Sequence, residues 1–157
     1  VTLQYGGEYF AAAVGEVNVV EKMKEVDAVI GGEGNGGVIY PELHYGRDAL
    51  VGVGLFLTYL CEQKCTCSEL KENLPIYYMS KNKIELEPTT DVDAILNKIA
   101  DKYKNERVTT IDGVKIDFED GWVHLRKSNT EPIIRIYSEG KTEEEAEGFA
   151  KLIIDSI

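Results

Sequence analysis

Two Asp-Gly steps, Asp112-Gly113 and Asp120-Gly121, constrain this chain more than any other feature, because each separates runs that alternate apolar and polar residues. Asp-Gly supplies the positive φ that a tight hairpin turn needs, and a half-buried strand hides every second side chain. Val114, Ile116 and Phe118 then share one face of a strand, and Val123 and Leu125 one face of the next. An antiparallel meander is the expectation. Its last strand, Ile133 to Ser138, leads to Thr142-x-x-Glu145, a capping-box spacing, and to Ala146, Phe149, Ala150, Ile153 and Ile157 on one helical stripe. Upstream, Ile76 to Leu86 reads as an extended strand. Thr90-x-x-Asp93 opens a helix in which Val92, Ile95, Leu96, Ile99 and Tyr103 share a face. Residues 75–157 therefore read as an α+β domain.

Before Pro75 the pattern is of another kind. Tyr9 to Val14 reads as a short strand, and Glu16 to Glu25 as a helix with Val17, Val20 and Met23 at helical spacing. Asp27-Ala28-Val29-Ile30 suits a buried parallel strand, with a glycine-rich loop at its C-terminal end, the edge where open α/β sheets bind ligands. Val38 to Tyr40 is a small strand. Asp48 is the expected N-cap of a nearly all-apolar helix running to about Glu62, and such a helix is expected to be buried. Ser68 is read as the cap of a further helical turn to Asn73, ended by Leu74-Pro75. The fold class read from the chain is thus α/β over residues 1–74 followed by α+β over residues 75–157. Val1 falls inside what reads as a strand and is not Met, so the chain is expected to be a piece of a longer one.

At 157 residues and 43% hydrophobic, the chain has enough apolar material for one medium domain or two small ones. A formal charge of −11 with scattered Lys and Arg argues against nucleic acid or an anionic membrane as partner. The apolar run from Ala49 to Cys61 is too short to span a bilayer. Cys61, Cys65 and Cys67 are odd in number and lack a paired C-x-x-C spacing, so idle thiols in a reducing cytoplasm are expected, and no metal site.

Arg126-Lys127-Ser128-Asn129-Thr130-Glu131-Pro132, followed by Ile133-Ile134-Arg135, places hydroxyls, an amide and guanidinium groups around one turn. Such groups together can grip a phosphate through charge-assisted hydrogen bonds. A solvated basic face of a two-strand ribbon accounts for the cluster equally well. Gly32-Glu33-Gly34-Asn35-Gly36-Gly37 likewise reads either as a flexible turn after a strand or as a polar binding loop.

As a pair in this order, the two segments resemble the phosphate-binding and sugar-binding loops of the α-D-phosphohexomutases, the phosphoglucomutase/phosphomannomutase family that includes phosphoglucosamine mutase. Asn35 departs from the Ser that most members carry. The resemblance covers the end of the third family domain, part of an α/β/α layered unit (1–74), and the fourth, a small antiparallel sheet with helices on one face (75–157). It implies Gly32, Glu33, Asn35 and Gly36 as sugar-binding residues, and Arg126, Ser128, Asn129, Thr130 and Arg135 as phosphate-binding residues. It also implies an enzyme that interconverts hexose 1-phosphate and 6-phosphate through a phosphoserine and a hexose 1,6-bisphosphate, with magnesium. The family's Thr-Ala-Ser-His-Asn-Pro-like nucleophile loop and Asp-Gly-Asp-Gly-Asp-Arg-like magnesium run do not occur in this sequence. No catalytic residue and no metal ligand is therefore expected within the chain. The implied partners are a hexose phosphate and the N-terminal domains of the same protein, with the fragment inactive alone. A phosphoglucosamine mutase and a noncatalytic sugar-phosphate-binding module are the other readings.

Overall fold

The computed structural model describes residues 1–87, 89–128 and 131–157, and the chain divides into two compact units, Val1–Leu74 and Pro75–Ile157.

In the second unit five antiparallel strands form one sheet in the order β4-β8-β7-β6-β5, made of β4 (Tyr78–Glu85), β5 (Arg107–Thr109), β6 (Val114–Asp117), β7 (Trp122–Lys127) and β8 (Ile133–Gly140). Strands β5 to β8 form the expected meander, with Asp112-Gly113 between β5 and β6 and Asp120-Gly121 between β6 and β7, and of these two glycines only Gly113 takes a positive φ. Gly113 has φ +70°, and a Cβ there would come within 2.1 Å of the Leu125 carbonyl oxygen, so this turn accepts only glycine. Helices α4 (Val92–Lys102) and α5 (Glu143–Ile154) supply Leu96, Ile99, Ala150 and Ile153 to a core shared with Val114, Ile116, Val123, Leu125, Ile134 and Ile136. Phe118 stacks on Phe149 with centroids 4.9 Å apart and meets the edge of Tyr103 at 6.1 Å. Ser138 is fully buried and its hydroxyl donates to the Ala146 carbonyl at 2.6 Å, so the helix start is fastened to β8 without an unpaired polar group.

Thr142 and Glu145 form the expected capping box on α5. Ile157 falls beyond the end of that helix. On α4 the cap is Asp91, whose carboxylate accepts from the Ala94 amide at 3.0 Å, rather than Thr90. A carboxylate also complements the helix N-terminus, which a hydroxyl does less well. The opposite face of the sheet carries Lys81, Lys83, Lys115, Trp122, His124, Arg126, Arg135, Tyr137 and Glu139, as the register dictates. Trp122 donates its indole N–H to Glu139 at 3.0 Å, with the Lys115 ammonium 5.2 Å from its ring.

The first unit contains a 3-10 turn at Leu3–Tyr5, helix α1 (Glu16–Val26), a three-stranded antiparallel sheet β1 (Gly31–Gly32), β2 (Val38–Tyr40) and β3 (His44–Arg47), and helices α2 (Ala49–Gln63) and α3 (Cys67–Glu72). It departs from the sequence expectation at Val1, which lies in no strand, at His44–Arg47, which form the unexpected strand β3, and at four further places. Residues 9–14 form no strand, and Tyr9 is 72% exposed. Asp27 to Ile30 is not a buried parallel strand. Asp27, at φ 52°, closes α1 in the left-handed conformation, Val29 is 80% exposed, and the chain enters β1 only at the glycines. A parallel strand needs covered faces and parallel neighbours. Within this unit β1 instead pairs antiparallel with β2.

The third of these four is α2, which is apolar nearly throughout yet has no buried residue, Leu50 being 83% exposed. Its composition demands cover, and the element it meets most within the unit is the short strand β2, where Gly52 sits against Val38. Asp48 does cap it, accepting from the Leu50 and Val51 amides at 2.9 and 3.0 Å. Those amides, that of Val51 first, together with His44, hold the Asp48 carboxyl below its ordinary range. Last, α3 is capped by Thr66 and not Ser68, because Thr66 finds Glu69 at the reciprocal capping-box spacing.

Candidate functional site

The glycine-rich loop of the first unit is a hairpin turn between β1 and β2. The Glu33 amide donates to the Gly37 carbonyl and the Gly36 amide to the Glu33 carbonyl, each at 3.1 Å. Gly36 lies at φ +91°, and a Cβ on Gly32 would stand 2.3 Å from the Gly37 oxygen, so these two glycines allow the turn to close. The Asn35 side chain works inside the loop, its Oδ1 accepting from the Gly37 amide at 3.0 Å and its Nδ2 facing Glu33 Oε2 at 3.5 Å.

Glu33 is the only carboxylate of the loop and is mostly buried, with 16% of its side chain exposed. Gly15 N–H donates to its Oε1 at 3.2 Å, and Arg47 Nη1 stands 3.8 Å from its Oε2. Arg47 is itself held by Glu16, which accepts from the Arg47 amide at 3.0 Å and from Nε at 2.9 Å. Those bonds, that to the amide first, hold the Glu16 carboxyl below its ordinary range. A carboxylate offers about four acceptor positions, so this seating leaves Glu33 able to take hydroxyl donors as well. The start of α1 and the end of β3 thus position the acidic group of the loop. Sequence reading missed Gly15, Glu16 and Arg47, which no local spacing connects to Glu33. His44, near the same helix cap, is bonded to Asp48 at 3.1 Å.

The second loop joins β7 to β8 in the other unit. Arg126 and Arg135 face each other across the two strands on the open side of the sheet. Directly opposed like charges repel, so each needs a counter-charge. Arg126 Nε lies 2.9 Å from Asp112 Oδ2, with both side chains 27% exposed. The N–H is not aligned on that oxygen, so the contact is an ion pair rather than a hydrogen bond. Arg135 Nη2 is only loosely paired, 3.8 Å from Glu131 Oε2. Ser128 N–H donates to the Ile133 carbonyl at 3.1 Å and pins the loop's start to its end. Asn129 and Thr130 lie outside the described residues.

Lys127 projects to the side away from Arg126 and pairs with Asp93 at 2.9 Å. A cavity of about 360 Å³ on that side is lined by Lys127 and Ser128 but also by Glu87, Asp91 and Glu131. Three carboxylates make it a poor home for an anion. The face bearing Arg126 and Arg135 is the better one for a phosphate.

Among the described residues no three His, Cys, Asp or Glu side chains come together to hold a metal, Cys61, Cys65 and Cys67 are free thiols, and no helix is long and apolar enough to cross a membrane.

Residues 1–78 match the family model described as phosphoglucomutase/phosphomannomutase, alpha/beta/alpha domain III, and residues 80–156 match that of the C-terminal domain of the same family. A phosphoglucomutase/phosphomannomutase of Thermococcus kodakarensis is 40% identical over 149 residues, covering 94% of this chain and 32% of that protein. A phosphoglucosamine/phosphogalactosamine mutase of Sulfurisphaera tokodaii is 42% identical over 132 residues, covering 83% of this chain and 29% of that protein. The chain therefore spans about a third of the length of the relatives it matches. Among solved structures, a phosphoglucomutase/phosphomannomutase family protein of Burkholderia thailandensis superposes with a TM-score of 0.74 over 98% of this chain and 34% of that one, at 23% identity, which speaks for the fold. A phosphomannomutase-like structure from Thermus thermophilus gives a TM-score of 0.58 at 27% identity, covering 90% of this chain and 30% of that one.

Proposed function

We infer that this chain, which belongs to the phosphoglucomutase/phosphomannomutase family, is the substrate-binding C-terminal part of an enzyme that interconverts hexose 1-phosphates and 6-phosphates. The observation that carries this reading is the pair of arginines opposed across β7 and β8 beside the Ser128 loop. Two guanidinium groups on adjacent strands are a poor structural choice and a good anion clamp. In the proposed reaction a phosphoserine enzyme passes through a hexose 1,6-bisphosphate, so the sugar is held in two opposite orientations. Arg126, Arg135 and Ser128, with Asn129 and Thr130, read the non-reacting phosphate in either one. Glu33 accepts from ring hydroxyls and Asn35 shapes the loop around it, closed by Gly32 and Gly36.

Nucleophile and magnesium ligands are assigned to the parts of the longer enzyme outside this chain. Magnesium would there supply charge neutralisation at the transferring phosphoryl group. The chain's own residues bind and orient. The partners in this reading are a hexose phosphate and the N-terminal domains of the same protein, in a reducing cytoplasm, which suits three unpaired thiols. A second reading, glucosamine phosphate as substrate, is favoured by the name of the Sulfurisphaera tokodaii relative and by a probable phosphoglucosamine mutase of Methanopyrus kandleri, 32% identical over all of this chain.

The test is an assay of the purified 157-residue chain with glucose 1-phosphate or glucosamine 6-phosphate, magnesium and a trace of the 1,6-bisphosphate. The expected outcome is no turnover above a blank, while the full-length enzyme turns over one of the two. Product from the isolated chain would overturn the binding-part reading, and the preferred substrate decides between the sugars.

A further inference from the structure

We infer that Asp112 is a positioning residue for the Arg126 guanidinium, so that the turn between β5 and β6 sets the direction from which the phosphate is gripped. The inference rests on the reading of Arg126 as a phosphate ligand. The Asp112-Gly113 step does more than reverse the chain. Three separate contacts press it onto the stretch of β7 that carries Arg126. The Asp112 carboxylate lies 2.9 Å from Arg126 Nε. The Asp112 carbonyl accepts from His124 Nε2 at 2.6 Å, two residues before Arg126 on the same strand face. Gly113 is so close that a Cβ would stand 2.1 Å from the Leu125 oxygen and 3.2 Å from Arg126 Cα.

A guanidinium has two edges that can meet an oxyanion, one built from Nε and one Nη, the other from both Nη atoms. With Asp112 at the Nε corner, the Nη pair is the edge left to a phosphate. The counter-charge also offsets repulsion from Arg135 across the strand pair. The two arginines differ in this respect. Arg126 is held closely by a partner that is itself 27% exposed, whereas Arg135 reaches a 59% exposed Glu131 at 3.8 Å. Arg126 is therefore the preset member of the clamp, and Arg135 the one that adjusts.

Calorimetric titration of the full-length enzyme with glucose 1-phosphate tests this in wild type, Asp112→Asn, Asp112→Glu, Arg126→Ala and the Asp112→Asn/Arg126→Ala double variant. Asp112→Asn is expected to weaken binding about 3- to 10-fold, Asp112→Glu less, and Arg126→Ala about 10- to 150-fold. In the Arg126→Ala background, Asp112→Asn is expected to add nothing, because its effect passes through a guanidinium no longer there. A merely structural role would show as the same loss in both backgrounds, and that overturns the inference. So does full affinity in Asp112→Asn while Arg126→Ala keeps its penalty, or equal losses for Asn and Glu. Undiminished binding by Arg126→Ala is a different result, which removes the phosphate reading itself.

Discussion

The two units solve the burial problem in opposite ways. In Pro75–Ile157 the apolar positions converge, and Ile99, Ile116, Val123, Leu125, Ile134, Ile136 and Ile153 are all fully buried. In Val1–Leu74 the buried apolar side chains are Met23 and Ile39, while Val29, Leu50, Val53 and Phe56 lie open. The first unit is no less apolar along its longest helix. Apolarity in a sequence states a demand for cover, and whether the demand is met depends on which surfaces are present to meet it. The second unit carries both sides of its core within one short stretch of chain. The first carries one side.

That contrast sets the order of expected effects. Ile136→Ala, in the middle of the sheet, should lower the unfolding free energy by about 2–5 kcal/mol, measured by chemical denaturation followed by circular dichroism. A loss below about 1 kcal/mol would mean that the second unit is not the tightly packed one. The next largest effect concerns ligand affinity in the full-length enzyme and compares the two sides of one strand end. Arg126→Ala should weaken sugar-phosphate binding about 10- to 150-fold, and Lys127→Ala, already paired with Asp93, less than about threefold. Equal losses would turn the arginine face into an unspecific basic patch.

A smaller effect is expected with pH. His124 is part-buried, and burial pushes its pKa below the ordinary value of about 6.5, outweighing the help of the Asp112 carbonyl, while Arg126 and Lys115 push the same way. The unfolded chain therefore binds a proton that the folded one refuses. Stability should be intact above about pH 6.5 and fall as the pH drops below it towards the folded value. Thermal midpoints of the wild type and His124→Gln between about pH 7.5 and 5 should diverge in that window, the variant losing less. Parallel profiles would place the proton uptake elsewhere. The smallest effect belongs to the first unit, where Leu50→Ser should change stability by no more than about 0.5 kcal/mol. A cost near that of Ile136→Ala would mean that Leu50 is covered after all.

What could be read from the sequence follows the same division. The Asp-Gly turns, the Thr142 capping box and the α5 stripe were legible because each is complete within a few residues and its burial is satisfied nearby. The strand expected at Asp27 to Ile30 and the burial expected of α2 failed because both inferred a neighbour from a need. The cap at Thr66 was missed because two residues of similar chemistry compete there, and only the position of Glu69 selects between them. In the candidate sites, the residues of each loop left a plainer reading open, and the resemblance of the two loops as a pair is what pointed to Glu33 and Arg126. The groups that seat them, Arg47 with Glu16 on one side and Asp112 on the other, arrive from other elements and leave no local spacing to read.

Trp122 is the chain's single tryptophan, and it belongs wholly to the second unit, with its indole on the Glu139 carboxylate and beside the Lys115 ammonium. Tryptophan emission from these 157 residues is therefore a one-sided instrument. It reports the sheet face that also carries Arg126 and Arg135, without any added label. The same light is blind to events in Val1–Leu74 that leave the second unit intact, so a denaturation curve of the 157-residue chain recorded by tryptophan emission alone would describe one of its two units.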